Sequence, residues 1–99
     1  MNEHAGVVRL VRHEPGKGKR DEVAGLLKAI AEAARDFPGC FGAQVASSDR
    51  DREALVLISR WESAGAMERF GKDPGFTSLR DELKGSVEHA PVVEVLTTA

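Results

Sequence analysis

The sequence has no tyrosine, one cysteine and one tryptophan among its 99 residues. A lone cysteine, Cys40, excludes an internal disulfide, as expected in a reducing compartment. Without tyrosine, no phenolic side chain can serve as an acid or a base. No segment approaches the ~20 apolar residues that span a bilayer. The opening Met1–Gly6 segment lacks the apolar stretch of a signal peptide. A cytoplasmic location, with no membrane partner, is the expectation. Charge of one sign is also scarce: the formal net charge is -2. The densest basic stretch, Lys17-Gly18-Lys19-Arg20, runs at once into Asp21-Glu22. It reads as a solvated helix start, and the chain lacks the basic stripe of a nucleic-acid binder. No glycine-rich phosphate loop, haem ligand set or metal-ligand spacing is present. The expectation is a colourless protein with no cofactor and no metal site.

What is present is a regular alternation of apolar patterns. With 41% hydrophobic and 30% charged residues, the composition is that of a globular protein. A chain of this length forms one domain, residues 1–99, burying roughly 60–70% of its unfolded surface. Residues 6–13 are β-branched and end at Glu14-Pro15-Gly16-Lys17, a strand followed by a turn. One strand face carries Val8, Leu10 and Arg12; the other carries Val7, Arg9, Val11 and His13. Over residues 18–36, Val23, Leu26, Leu27, Ile30 and Ala34 recur at steps of three and four, a helix. Pro38 disfavours helical geometry at Phe37, so the helix ends near Asp36.

Residues 40–48 form a weaker strand, and Asp49-Arg50-Asp51-Arg52 reads as a hairpin connection. Residues 54–61 form the strongest strand. Leu55, Leu57 and Trp61 share one face, with Val56 and Ile58 on the other. Ser63 is a plausible N-cap for a short helix with Met67 and Phe70. Asp73-Pro74 starts a further helix, with Phe76, Leu79 and Leu83 down to Lys84. Pro91 precedes a last strand over residues 92–96. This order is ferredoxin-like βαββαβ, an α+β fold. It predicts a four-stranded antiparallel sheet with helices on one face. The opposite face is expected to expose Val7, Val11, Leu55, Leu57 and Trp61. An apolar patch of that size calls for a cover, and a second copy in a homodimer is the economical one.

In this order, with Pro15-Gly16-Lys17, Pro38-Gly39-Cys40, Trp61-Glu62-Ser63, Phe70 and Phe76, the chain resembles the antibiotic biosynthesis monooxygenase family. The resemblance runs over about residues 7–97. It implies a dimeric α/β-barrel with a pocket between each sheet and its own helices. Several members oxygenate phenols or quinols with molecular oxygen and neither metal nor flavin. The haem-degrading branch uses a histidine on the second helix and an asparagine on the first strand. Residues 63–84 contain no histidine, and the only asparagine is Asn2, which speaks against haem degradation. A tyrosine-dependent mechanism cannot carry over either.

The resemblance singles out two catalytic candidates. Trp61 corresponds to a residue that lines the pocket in several members, although a tryptophan at a strand end also suits plain core packing. Arg80 lies four residues after Phe76, in the region where some phenol-oxidising members place an arginine against the substrate oxygen; solvent exposure is its competing reading. Candidate substrate-binding residues are Arg9, His13, Leu57, Phe70 and Phe76. Arg9 sits in an apolar strand and needs a partner or an edge, so a salt bridge or a dimer edge is expected of it. Of His4, His13 and His89, each able to act as a base near neutral pH, His13 and His89 are expected to be exposed. Cys40 is expected to be a small buried residue.

The leading expectation is cofactor-independent oxygenation of a small aromatic phenol or quinol by a homodimer. The alternatives are a non-catalytic ligand-binding or stress-response dimer, and a polyketide cyclase or lactone isomerase on the same fold. Fold by itself does not choose among them.

Overall fold

β1 (Val7–His13) and β3 (Leu55–Trp61) form the centre of a four-stranded sheet, flanked by β2 (Cys40–Ser47) and β4 (Val92–Thr97). The strand order is β2-β3-β1-β4, and every pairing is antiparallel. The structure is a computed structural model that describes residues 6–98, so His4 and Asn2 lie outside the described residues. Three helices, α1 (Arg20–Arg35), α2 (Ala64–Gly71) and α3 (Pro74–Lys84), complete the ferredoxin-like α+β order.

Local chemistry accounts for each helix. α1 buries Val23, Leu27, Ile30, Ala31 and Ala34, one apolar stripe turned to the sheet. Asp21 and Glu22 sit in its first turn and Arg35 in its last, which suits the helix dipole. Helical geometry begins two residues later than the apolar spacing suggested, because Gly18 takes a left-handed φ of 76°. Ser63 caps α2 by accepting from the Ala66 amide at 3.1 Å. Asp73 caps α3, accepting from Gly75 and Phe76 amides at 3.0 and 3.3 Å. Pro74 opens α3, where its missing N–H costs nothing.

Gly39 joins the first helix to the site. Its φ is 91°, and a Cβ there would stand 2.6 Å from the Ala66 Cβ. Only glycine meets both demands. Its carbonyl accepts from the Glu62 amide at 2.8 Å, so the turn after α1 is tied to the end of β3 beside Trp61.

The helices cover the face opposite to the one expected. Val7, Val11, Leu55, Leu57 and Trp61 are all buried in the core together with the α1 stripe. The register pairs Val7 with Trp61 and Val11 with Leu57, so these residues form one side. Val8, Leu10, Val56 and Ile58 form the other side, half-buried. Both faces of β1 and β3 are apolar, so alternation identifies the two sets but not which of them the helices take. A charge at Leu57 would thus strike the chain's own core.

β4 is exposed along its whole length. Val92 and Leu96 belong to the open sheet face, while Val93 and Val95 stand beside Val11 and Arg9 on the helix side. The helices pack over β2 and β3 and stop short of this edge. No helix among the described residues is long and apolar enough to cross a membrane.

Candidate functional site

The helix-side face of the sheet becomes the floor of a cleft. Its rows follow from the register: Ser59 lies beside Arg9, Leu57 beside Val11, and Leu55 beside His13. Where α1, α2 and α3 do not fill the space above this floor, a cavity of about 210 Å³ remains. Trp61, Phe70, Phe76, Leu57 and Met67 line it, together with Arg9, Ser59 and Glu68. A smaller cavity of about 70 Å³ adjoins it and shares Arg9, Leu57 and Phe76. His13, Arg80 and Pro91 line only the smaller one.

An aromatic cluster forms one wall of the larger cavity. The Trp61 and Phe70 ring centres are 5.3 Å apart, and those of Phe70 and Phe76 are 4.9 Å apart. Phe37 backs the cluster edge-on, 5.3 Å from Phe70 and 6.3 Å from Trp61. Such tilted and edge-on pairs add stability beyond the area they bury. Trp61 is 1% exposed, and its Nε1–H donates to the Ser59 hydroxyl at 2.9 Å. The Ser59 hydroxyl keeps its own proton for a further acceptor. Burial of the indole therefore does not leave an orphan donor.

Of the two roles expected for Arg9, the structure bears on the salt bridge. Among the described residues Arg9 forms no ion pair; it is half-buried against both cavities. Burial lowers its pKa from the ordinary value. The guanidinium remains a cation with few partners in a largely apolar cleft.

His13 differs from expectation. It is 4% exposed, not solvent-facing, and borders the smaller cavity together with Phe76, Leu83 and Pro91. Among the described residues, neither ring nitrogen has a partner. Burial first, and the charge of Arg9 second, hold its pKa down at about 4. It is therefore a neutral imidazole at neutral pH. His89 is exposed as expected, and the Ala90 carbonyl and then Glu14 raise its pKa.

Arg80 is separated from Trp61. Its guanidinium lies 5.7 Å from the Phe76 ring centre, a cation–π contact, and 3.7 Å from Asp81. It reaches the smaller cavity and not the larger. Cys40 is half-buried, with its Sγ donating to the Gly42 carbonyl at 3.4 Å. Burial pushes its pKa up, so it is a poor nucleophile. No group of His, Cys, Asp and Glu able to hold a metal ion occurs among the described residues.

Three residues that line the larger cavity, Ser59, Glu68 and Gly71, escaped the sequence reading. Ser59 lies between Leu57 and Trp61 on the same strand face, a placement that strand alternation gives directly. Glu68, exposed at the rim, carries no sequence signal that separates it from other surface carboxylates.

Solved structures share this architecture. A conserved protein from Methanosarcina mazei Go1 superimposes with a TM-score of 0.91 at 14% identity, covering 98% of this chain and 96% of that one. Rv0793 from Mycobacterium tuberculosis gives 0.88 at 23% identity, covering 96% of each chain. A structure described as an antibiotic biosynthesis monooxygenase gives 0.84 at 17% identity, covering 94% of this chain and 98% of that one. At these identities the likeness is one of fold. No curated protein matches the chain. The family model for antibiotic biosynthesis monooxygenases matches residues 6–82, the stretch that builds the sheet centre, the three helices and the aromatic wall of the cleft. The chain belongs to the antibiotic biosynthesis monooxygenase family.

Proposed function

We propose that the protein is a homodimeric, cofactor-independent oxygenase of a small aromatic phenol or quinol. The observation that carries this reading is the larger cavity, walled by Trp61, Phe70 and Phe76 and facing Arg9. An engineered apolar cavity of about 150 Å³ binds benzene, so about 210 Å³ accommodates a substituted ring. A deprotonated electron-rich phenol can pass an electron to molecular oxygen. For an anthrone-type ring, recombination puts one oxygen atom on the ring carbon as a carbonyl. The other leaves as water with that carbon's two hydrogens, and no external reductant is needed. The chain's task is then to exclude water, hold the ring and stabilise the phenolate.

Arg9 is the cation that lines the same cavity as Trp61, which supports it as the phenolate partner. Arg80 reaches a substrate only through the smaller cavity, so its role is at the far end. Arg9→Gln is expected to lower oxygen uptake with quinols and anthrone-like phenols by roughly tenfold or more, the scale of one lost charged hydrogen bond. Uptake unchanged in that variant would remove Arg9 from the chemistry. No uptake by the unmodified protein on any panel member would favour the non-catalytic dimer. The isomerase or cyclase reading has one observation in its favour, the neutral and unpartnered His13, a base in waiting.

The homodimer rests on the open sheet face, where Val8, Leu10, Val56 and Ile58 are half-buried and Val92 and Leu96 are exposed. Ile58→Lys sets an unpaired charge in the middle of that face without touching the monomer's core. It is expected to weaken dimerisation by a hundredfold or more, on the order of 3 kcal/mol. Light scattering at micromolar concentration checks this. A monomer before substitution would sink the dimer.

A further inference from the structure

The smaller cavity has a chemistry that phenol binding leaves unused. Arg9, His13 and Arg80 line it, the rest of its lining is apolar, and no carboxylate is among its residues. It continues outward into a hollow of about 110 Å³ lined by His13, Arg80 and Lys84. That hollow is bordered by apolar atoms of these side chains, so the cations of the smaller cavity are two, Arg9 and Arg80. Asp81 pairs with both Arg80 and Lys84, at 3.7 and 3.8 Å, but lines neither hollow. The acidic residue of the cleft, Glu68, sits at the opposite end, on the larger cavity.

His13 is the second observation. A buried polar ring with two unpartnered nitrogens is costly. A core position beside Leu55 would be satisfied by leucine or valine at no such cost. Here the ring faces a space of about 70 Å³. Since a water's share of liquid volume is about 30 Å³, that space holds two or three non-hydrogen atoms, the size of a carboxylate.

We propose that the smaller cavity is an anion subsite, in which His13 and Arg80 hold a carboxylate carried by the aromatic ligand. The proposal rests on the larger cavity being the ring site. The neutral imidazole donates one N–H to a carboxylate oxygen. The Arg80 guanidinium, already oriented by the Phe76 ring, supplies the charge. Arg9, at the junction, is left for the phenolate. Two cations at two positions on one cleft then match two anionic groups on one ligand. The substrate class is accordingly a hydroxylated aromatic carboxylic acid, not a simple phenol. Arg9 and His13 are four residues apart on one strand face, about 13 Å between their backbones. The two groups on the ligand are therefore placed at opposite ends of it.

Trp61 provides the readout. It is the only tryptophan and there is no tyrosine, so its fluorescence reports directly on a ring entering the larger cavity. The full chain is titrated with 4-hydroxyphenylacetate and with its neutral amide, which differ only in the charged group. The acid is expected to bind at least tenfold more tightly than the amide. In Arg80→Gln and in His13→Leu the acid-to-amide ratio is expected to fall toward one. Equal binding of acid and amide to the unmodified protein would overturn the anion subsite while leaving the ring site intact. An acid preference that survives both substitutions would overturn it as well. If neither compound changes the fluorescence, the ring site itself fails, and the subsite with it.

Discussion

Trp61→Ala is expected to lower the stability of the fold by about 3–5 kcal/mol, the range for truncating a large buried aromatic ring. The indole is 1% exposed and touches Phe37 and Phe70 as well as the Ser59 hydroxyl. Its removal enlarges a cavity that is already there, so little can collapse to refill it. Urea denaturation followed by circular dichroism measures the loss, since the fluorescent probe goes with the side chain. Protein concentration must be held fixed, because a dimer's apparent stability depends on it. A loss below about 1 kcal/mol would show that the aromatic wall is not part of the core. Trp61→Phe keeps most of the volume and is expected to cost less while still weakening ring binding.

Acidification is expected to destabilise the protein through His13. Its folded pKa of about 4 lies below the ordinary 6.5. Between those values the unfolded chain binds a proton that the folded chain does not. The contribution is therefore complete above pH 6.5 and shrinks as the pH falls toward 4. Integrated over the window, the shift corresponds to about 3 kcal/mol. Arg9, Arg80 and Lys84 are the charged side chains that border the hollows around the ring, and Arg9 is the one whose charge opposes a further positive charge there. His89 works in the opposite sense, since its raised pKa favours the folded state at lower pH. Carboxylates add their own acid dependence, so the informative quantity is the difference between the unmodified protein and His13→Leu. That variant is expected to show a flatter stability profile between pH 6.5 and 4. Profiles that coincide, or a His13 resonance titrating near 6.5, would show that the ring is not held neutral.

The sequence carried the elements and the aromatic candidates, and it did so through local rules. Apolar steps of three and four located α1, while Pro38 and Gly39 located its end. Ser63 and Asp73 announced their helices because a capping oxygen must stand just ahead of the amides it satisfies. Leu57, Phe70 and Phe76 line the cleft together with Trp61, and all four lie on stripes that periodicity exposes.

What periodicity could not decide was the side of the sheet. β1 and β3 are apolar on both faces, and a pattern of period two names the faces without ranking them. Only the packing of α1 ranks them, and with it the fate of every alternate residue. It puts Val7, Val11 and Leu57 inside the chain and leaves Val8, Leu10 and Ile58 on the open face of the sheet. The same choice takes His13 out of solvent and makes it a buried imidazole. It also leaves Arg9 with no ion pair among the described residues and sets the exposed Arg80 away from Trp61, at the smaller cavity it shares with Arg9 and His13. Charge, exposure and partnership are properties of what comes from elsewhere in the chain to lie against a residue. The elements were therefore settled by neighbours in sequence, and the chemistry of the cleft by neighbours in space.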